Sequence, residues 1–498
     1  MLRFLLLLLV ATASFAAPAA DRVTVGSKRF TESYILGELV AQTLQRAGVP
    51  AVHQQGLGNT GILEQALAAG QVDVYPEYTG TIVREILKRE PPAEPPTLAQ
   101  INEWLAPRGL KAAVPLGFNN TYALAMREAD AATLGVASIS DLAKLPPEKA
   151  AALKPGLSHE FLVRGDGWPA LAKAYGLTLA PGGGLDHGLA YEALAKGQVD
   201  LIDVYSTDAQ IGRQHLRVLK DDRAFFPRYD AVLLMRASLD AKPLSALQGR
   251  IDEAAMVALN AQVEIDRRAF AEVARDFLAG KTGASAAPAP GFMARLFAPD
   301  LARLLGQHLL LVAASVALAA VVGVPLGLWA HRRPRAGAAI GAAVGLLQTV
   351  PSLALLAFLI ALFGTIGFWP ALAALFLYGL LPVVVNTQAG LAAVPAGLPM
   401  AARALGLTEG QALRLVELPL ALPTLLAGVR TAAVINVGTA TVAAFVGAGG
   451  LGERIVAGLA VNDTQRMLAG AVPAALLALV VQGALILLER RLRPQGSG

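Results

Sequence analysis

Tyr78 and Tyr205 stand at matching places in a sequence that repeats itself. Residues 66–78 read ALAAGQVDVYPEY and residues 193–205 read ALAKGQVDLIDVY. In each copy a helical run stops at a glycine (Gly70, Gly197), and Gln-Val-Asp leads into a short apolar strand. A tyrosine then follows the aspartate, Asp73 or Asp200, by five positions. Tyr122 and Tyr229 lie in two further short motifs, NNTYAL and FPRYD. A set of tyrosines suits one task in particular. A quaternary ammonium ion donates no hydrogen bond and carries a diffuse charge, so proteins hold it against aromatic faces by cation–π attraction. A lone strand tyrosine is more often packing, but two at matched positions of a repeat argue for a shared role.

Residue types for catalysis are sparse. His53, His159, His187, His215, His308 and His331 show no HExxH or other metal-ligand spacing, and no GxSxG occurs. Gly280-Lys281-Thr282 ends like a phosphate-binding loop, but Arg275 stands where its first glycine should be. It reads as a polar spacer, so ATP, if used, is bound by another chain. There is no cysteine, which excludes disulfides, thiol nucleophiles and Cys-zinc sites. No cofactor is expected. The net charge of +5 comes with basic residues gathered at the edges of apolar runs, so nucleic-acid binding is not expected.

The repeat must be positioned by α/β structure. Val23–Val25 reads as a strand, and Thr31 as the cap of a helix over 32–46. Thr60 opens a helix that Gly70 ends, and Val72–Val74 begins the next strand. From about Asn119 the chain enters a second lobe, with a strand at Phe161–Val163, a helix at Trp168–Tyr175 and a glycine loop at Gly182–Gly184. After about Phe225 it returns to the first lobe. Two α/β lobes would each bring a tyrosine to the carboxyl end of a strand, where open α/β sheets place ligands.

The second half is a different material. Hydrophobic residues make up 55% of the chain and charged residues 16%, against about 25% charged in soluble proteins. Mean hydropathy is +0.51. The excess lies in five apolar spans, about Leu304–Leu328, Ala338–Phe363, Trp369–Leu391, Leu425–Val446 and Met467–Leu488. Basic residues follow the first span (His331–Arg335), separate the third from the fourth (Arg403, Arg414) and follow the fifth (Arg490–Arg493). All three clusters fall on one side, which is then cytoplasmic. Residues 1–20 read as a signal peptide: Arg3, an apolar run from Phe4, and small residues before a cut after Ala16 or Ala19. It would deliver residues 21–300 outside, of which 21–280 read as the binding domain. Residues 281–300 read as a linker, and residues 301–493 as the membrane domain.

VGSKRFTES (25–33), the Gly-Leu-Gly-Asn-Thr run at 56–60, EYTGT (77–81), EFLVRGDGW (160–168), DVYSTDA (203–209) and FPRYDA (226–231) together resemble the glycine betaine/choline class of ABC-transporter binding proteins. The resemblance implies a two-lobed α/β periplasmic binding protein of type II. It also implies an aromatic cage of Tyr78, Tyr122, Tyr205 and Tyr229. Lys28, Thr81 and Arg164 match positions that hold a ligand carboxylate, where guanidinium geometry suits the pairing. QTVPSLALLAF (348–358), LYGLLPVVVNT (377–387) and INVGTATVAAFVGAGGLG (435–452) are similar to permeases of the same subclass, which are all-α and of the type I importer kind. Within residues 399–420, Ala401, Ala402 and Gly406, with Glu417 and Pro419, resemble the cytoplasmic coupling loop that docks on an ATPase. Met400 replaces its usual leading glutamate.

These resemblances imply an inner-membrane importer subunit that fuses receptor and permease. It takes up a quaternary ammonium solute, glycine betaine first, with choline, carnitine, proline betaine or ergothioneine as alternatives. The partners implied are a separate ATP-binding subunit, a second permease copy and membrane lipid. The alternative of another class is a membrane-tethered solute sensor, which five spans disfavour.

Overall fold

In the computed structural model, residues 22–89, 95–281, 291–461 and 463–492 are described. The expected signal peptide, part of the loop at 91–96 and most of the Gly280–Pro290 spacer lie outside them. The chain forms two compact units, one of residues 19–295 with 456–467 and one of residues 296–455 with 468 onward.

The first unit holds two sheets. The larger has strand order β2-β1-β3-β8-β4, from β1 (Val23–Gly26), β2 (Ala51–Gln54), β3 (Val74–Tyr78), β4 (Leu110–Ala113) and β8 (Ala231–Arg236). β1 runs parallel to β2 and β3, whereas β8 enters antiparallel between β3 and β4. The chain thus returns to the first lobe after Phe225. The smaller sheet, β6-β5-β7, comes from β5 (Tyr122–Arg127), β6 (Leu201–Tyr205) and β7 (Leu216–Leu219).

The repeat is architectural before it is functional. Helix α1 (Thr31–Arg46) packs under the first sheet, and α2 (Thr60–Ala68) ends at Gly70, whose φ of +72° turns the chain into β3. Its counterpart, α5 (His187–Ala195), ends at Gly197 with φ +68° before β6. A left-handed residue here favours glycine. Each repeat aspartate is pinned to its sheet. Asp73 accepts the Thr24 backbone N–H at 2.8 Å and pairs with Arg236 of β8. Asp200 pairs with Arg127 of β5 at 2.6 Å and accepts the Lys154 backbone N–H.

Two local expectations fail. Thr31 is the first residue of α1, not its cap; Phe30 occupies that place and caps nothing with its side chain. Phe161–Val163 is helical, part of α3 (His159–Val163), which precedes α4 (Trp168–Tyr175). Ser158 caps α3 by accepting the Phe161 N–H at 3.2 Å, and its own hydroxyl and N–H are held by buried Asp203. That capping bond and its anchor outweigh the strand preference of three apolar residues. Helices α6 (Glu253–Glu264) and α7 (Phe270–Leu278) complete the unit, with Asp252 capping α6.

The second unit is helical and membrane-spanning. Four long apolar helices compose it: α8 (Leu301–Arg332), α11 (Phe368–Ala392), α13 (Leu418–Thr439) and α14 (Thr464–Leu492). The expected second span is instead a bent pair, α9 (Pro334–Thr349) and α10 (Ser352–Phe363), with 103° between them. Pro351 stands at the break, and Val350 before it is extended, the conformation a following proline favours. The fourth span starts earlier than its hydropathy suggests and stops at Thr439; Val442–Val446 is a separate short helix. Helix α12 (Gly397–Ala404) lies between α11 and α13. The bundle is close-packed. A Cβ on Gly428 would meet Asn386 at 2.6 Å, so α13 and α11 approach backbone to backbone.

Candidate ligand-binding site

The two sheets of the first unit bring all seven expected ligand-site residues to one cavity. Tyr78 ends β3, Tyr122 opens β5 and Tyr205 ends β6, where Tyr122 and Tyr205 are direct cross-strand partners. Tyr229 stands two residues before β8. The Tyr122 ring meets Tyr205 edge-on at 5.0 Å and Tyr229 edge-on at 5.8 Å. The cavity is nearly closed, about 20 Å³, and is lined by these four tyrosines with Lys28, Thr81 and Arg164, and also by Phe30, Asn120 and Glu160. That is room for about one water molecule, so the lining side chains close on one another.

Phe30 is a fifth aromatic wall, 5.2 Å from the Tyr205 ring centroid. The sequence reading passed over Phe30, Asn120 and Glu160, although each lies inside a motif already singled out: SKRF, NNTY and EFLVR. Their signal was adjacency to a chosen residue.

The cations are not bare. Lys28 Nζ is 2.6 Å from Glu77 Oε1, and both side chains are buried. Arg164 donates to both oxygens of Asp166, from Nε at 2.7 Å and Nη2 at 2.8 Å, and reaches Glu160 at 3.3 Å and Thr81 at 3.4 Å. Burial would raise the Asp166 carboxyl, but the Arg164 and Tyr229 hydrogen bonds outweigh it and hold it below the usual range. The expected clamp is therefore two ion pairs: Arg164 with Asp166 two residues on, and Lys28 with Glu77, 49 positions away. Arg164 keeps N–H capacity beyond these bonds, since a guanidinium carries five donors.

Two cage hydroxyls end on carboxylates. Tyr229 donates to Asp166 Oδ2 at 2.6 Å, and Tyr78 donates to Glu32 Oε1. Glu32 also accepts from Asn120 at 2.9 Å and from the Thr207 hydroxyl. Burial raises the Glu32 carboxyl above its ordinary value despite those bonds. Thr207 follows β6 and Tyr78 ends β3, so Glu32 ties together residues that follow strands of both sheets.

His187 stacks on Tyr205 with centroids 4.2 Å apart, and its Nε2 is 2.9 Å from Asp208. Burial would lower this imidazolium, but the Asp208 charge outweighs it and pushes the pKa up to about 9. The folded protein then holds the proton more tightly than the unfolded chain. That stabilisation is full below about pH 6.5 and disappears as pH rises through about 9. Thermal unfolding of the full-length chain should show His187→Gln costing most near pH 6 and progressively less toward pH 9.5. A difference flat across that range would show a neutral imidazole throughout.

In the second unit, the expected coupling-loop residues share one region. Ala401 and buried Ala402 lie on α12, Gly406 follows it with φ +88°, and Glu417 and Pro419 stand at the start of α13. Leu398, Met400 and Leu405 of the same stretch are exposed, Leu405 by 81%. Among the described residues, no group of three His, Cys, Asp or Glu side chains could hold a metal ion.

Comparison with known proteins separates along the same two units. Residues 21–280 match the substrate-binding domain of ABC-type glycine betaine transport systems, and residues 323–494 match the binding-protein-dependent transport system inner membrane component. The first part is similar to a glycine-betaine-binding protein of Pseudomonas aeruginosa, 37% identical over 52% of this chain and 88% of that protein. The second is similar to the osmoprotectant import permease protein OsmW of Salmonella typhimurium, 44% identical over 39% of this chain and 93% of that protein. A solved glycine betaine/carnitine/choline ABC transporter structure is 27% identical, covering 52% of this chain and 98% of its own, with TM-score 0.44. The chain belongs to the ABC-type glycine betaine transport family, as a substrate-binding domain and an importer permease joined in one polypeptide.

Proposed function

We propose that this chain imports a small zwitterionic betaine, glycine betaine foremost, across the inner membrane. The observation that carries this is the cavity lining: five aromatic rings beside Lys28 and Arg164. The rings take the trimethylammonium group by cation–π attraction. The carboxylate is taken by the N–H groups of Lys28 and Arg164 with the Thr81 hydroxyl. Glu160 gives a second ligand some support, because a carboxylate in the lining favours choline, which carries net positive charge. The binding domain faces the periplasm, as the basic ends of α8 and α14 argue. Two permease copies form the pathway, and a separate ATP-binding subunit docks on residues 399–420. Residues 1–20 act as the export signal.

Calorimetry of the full-length chain in detergent against glycine betaine, choline, carnitine, proline betaine and ergothioneine tests this directly. Binding of none would refute it, and tightest binding of choline would move the assignment to that ligand. Tyr78→Ala and Tyr205→Ala should each weaken binding by about 1–3 kcal/mol, from lost cation–π attraction and lost packing. Wild-type affinity in both folded variants would remove those residues from the cage.

A further inference from the structure

Five of the nine tyrosines take no part in the site above, and one of these lies in the second unit. Tyr378 is the only tyrosine after Tyr229 in the sequence, and it lies in the middle of the membrane helix α11. It lines a broadly open hollow of about 640 Å³ formed by the break of the α9–α10 pair, α11 and α13.

Two prolines fix this ring. Pro382 has no N–H, so the carbonyl of Tyr378, four residues earlier, loses its helical partner. The Gln348 side chain supplies one instead, donating from Nε2 at 3.0 Å. The break at Pro351 leaves the Val350 carbonyl outside any helix, and the Tyr378 hydroxyl donates to it. Tyr378 is thus held at both its backbone and its hydroxyl by the bent pair. Non-helical backbone at membrane depth is tolerated where it is buried in protein or lines a cavity, and broken helices mark solute sites in other transporter folds.

The lining chemistry is specific. Gln348, Thr349, Ser352 and Thr439 join Tyr378, the apolar Val350, Pro351, Val434, Ile435 and Val442 complete the wall, and no charged residue contributes. A wholly apolar groove would suit a lipid chain, whereas this one mixes apolar side chains with neutral hydroxyl, amide and carbonyl groups. A quaternary ammonium ion is attracted to a π face and to such oxygens. A fixed cation would repel it and a fixed carboxylate would hold it too long, whereas passage needs binding weak enough to release.

We propose that this cavity is a low-affinity station for the quaternary ammonium solute within the permease, with the Tyr378 ring as its contact. The station presupposes the import function proposed above. It differs from the tyrosine cage in being neutral and in lying among the membrane helices.

The test is uptake of radiolabelled glycine betaine and choline by proteoliposomes holding the full-length chain and its ATP-binding partner. Solute affinity and solute-stimulated ATP hydrolysis are measured in parallel. Tyr378→Phe keeps the ring and loses only the hydroxyl bond, so uptake should stay within about threefold of wild type. Tyr378→Ala should lower uptake about tenfold or more, the scale of one desolvated cation–π contact. Affinity and stimulated hydrolysis should persist. Tyr378→Leu keeps the bulk without a π face and should behave like Tyr378→Ala, which guards against a collapsed helix contact. Wild-type uptake in the Ala or Leu variant overturns the station. Equal loss in the Phe variant, or loss of hydrolysis along with uptake, also overturns it and leaves Tyr378 as a structural latch. Those outcomes leave the import function standing, whereas a wild-type chain that binds and imports none of the solutes removes both.

Discussion

Arg164→Ala will weaken binding of glycine betaine by roughly 2–5 kcal/mol, the usual cost of truncating one side of a buried charge pair. Choline binding will fall much less. The reason lies in what the guanidinium does in the cavity. Arg164 is almost fully buried, its charge is held by Asp166, and its remaining N–H capacity faces a space shared with Thr81 and Lys28. A ligand carboxylate would use that capacity; choline has no carboxylate to offer. The substitution also strands Asp166, which is fully buried and would keep only the Tyr229 hydroxyl among its side-chain donors. Some loss of stability will follow, because an unpaired buried charge is costly. The ratio of betaine to choline affinity, measured by calorimetry on the same variant, cancels that general damage. Arg164→Lys, which keeps the charge but not the bidentate fork, should fall between wild type and alanine. An unchanged ratio in Arg164→Ala would end the carboxylate-clamp assignment and shift the ligand toward choline.

Gly406→Trp is expected to abolish uptake and solute-stimulated ATP hydrolysis while leaving solute affinity at the wild-type value. Within its own chain Gly406 is unobstructed: a Cβ added there would meet nothing within 4 Å. Its φ of +88° is a conformation that other residues rarely take, so any side chain carries some strain. That strain is common to small and large substitutions, and only the large one blocks close approach of a partner. Gly406→Ala therefore serves as the strain control and should keep much of the activity. The apolar side chains of Leu398, Met400 and Leu405 beside it are exposed, as a surface for a docking partner would be. Vesicles containing this chain and its ATP-binding subunit give the readout. Full uptake and hydrolysis by a folded, inserted Gly406→Trp variant would show that residues 399–420 do not couple to the ATPase.

The sequence alone determined the parts that depend on local pattern. The Gln-Val-Asp repeat marked two strands ending in tyrosine because a turn glycine, an apolar strand and a pinned aspartate are all short-range requirements. Gly70 and Gly197, Asp73 and Asp200 do the same jobs in both copies. The motif resemblance placed seven residues that do share one cavity. Apolar run lengths located the membrane helices, since spanning requires about 20 residues whatever the packing.

Tertiary structure decided what depends on distant neighbours. Lys28 and Glu77 are 49 positions apart, and Glu32 and Thr207 are 175 apart, so no local pattern declared those pairs. A carboxylate needs a partner only once burial has removed water, and burial is a property of the assembled fold. The strand expected at Phe161–Val163 became a helix because Ser158, anchored by Asp203 from β6, offers its first turn a cap. The second membrane span broke at Pro351 because Tyr378, on another helix, supplies the hydrogen bond that the freed Val350 carbonyl needs. Hydropathy counts apolar residues and sees no such bond; only the packed bundle brings donor and acceptor together.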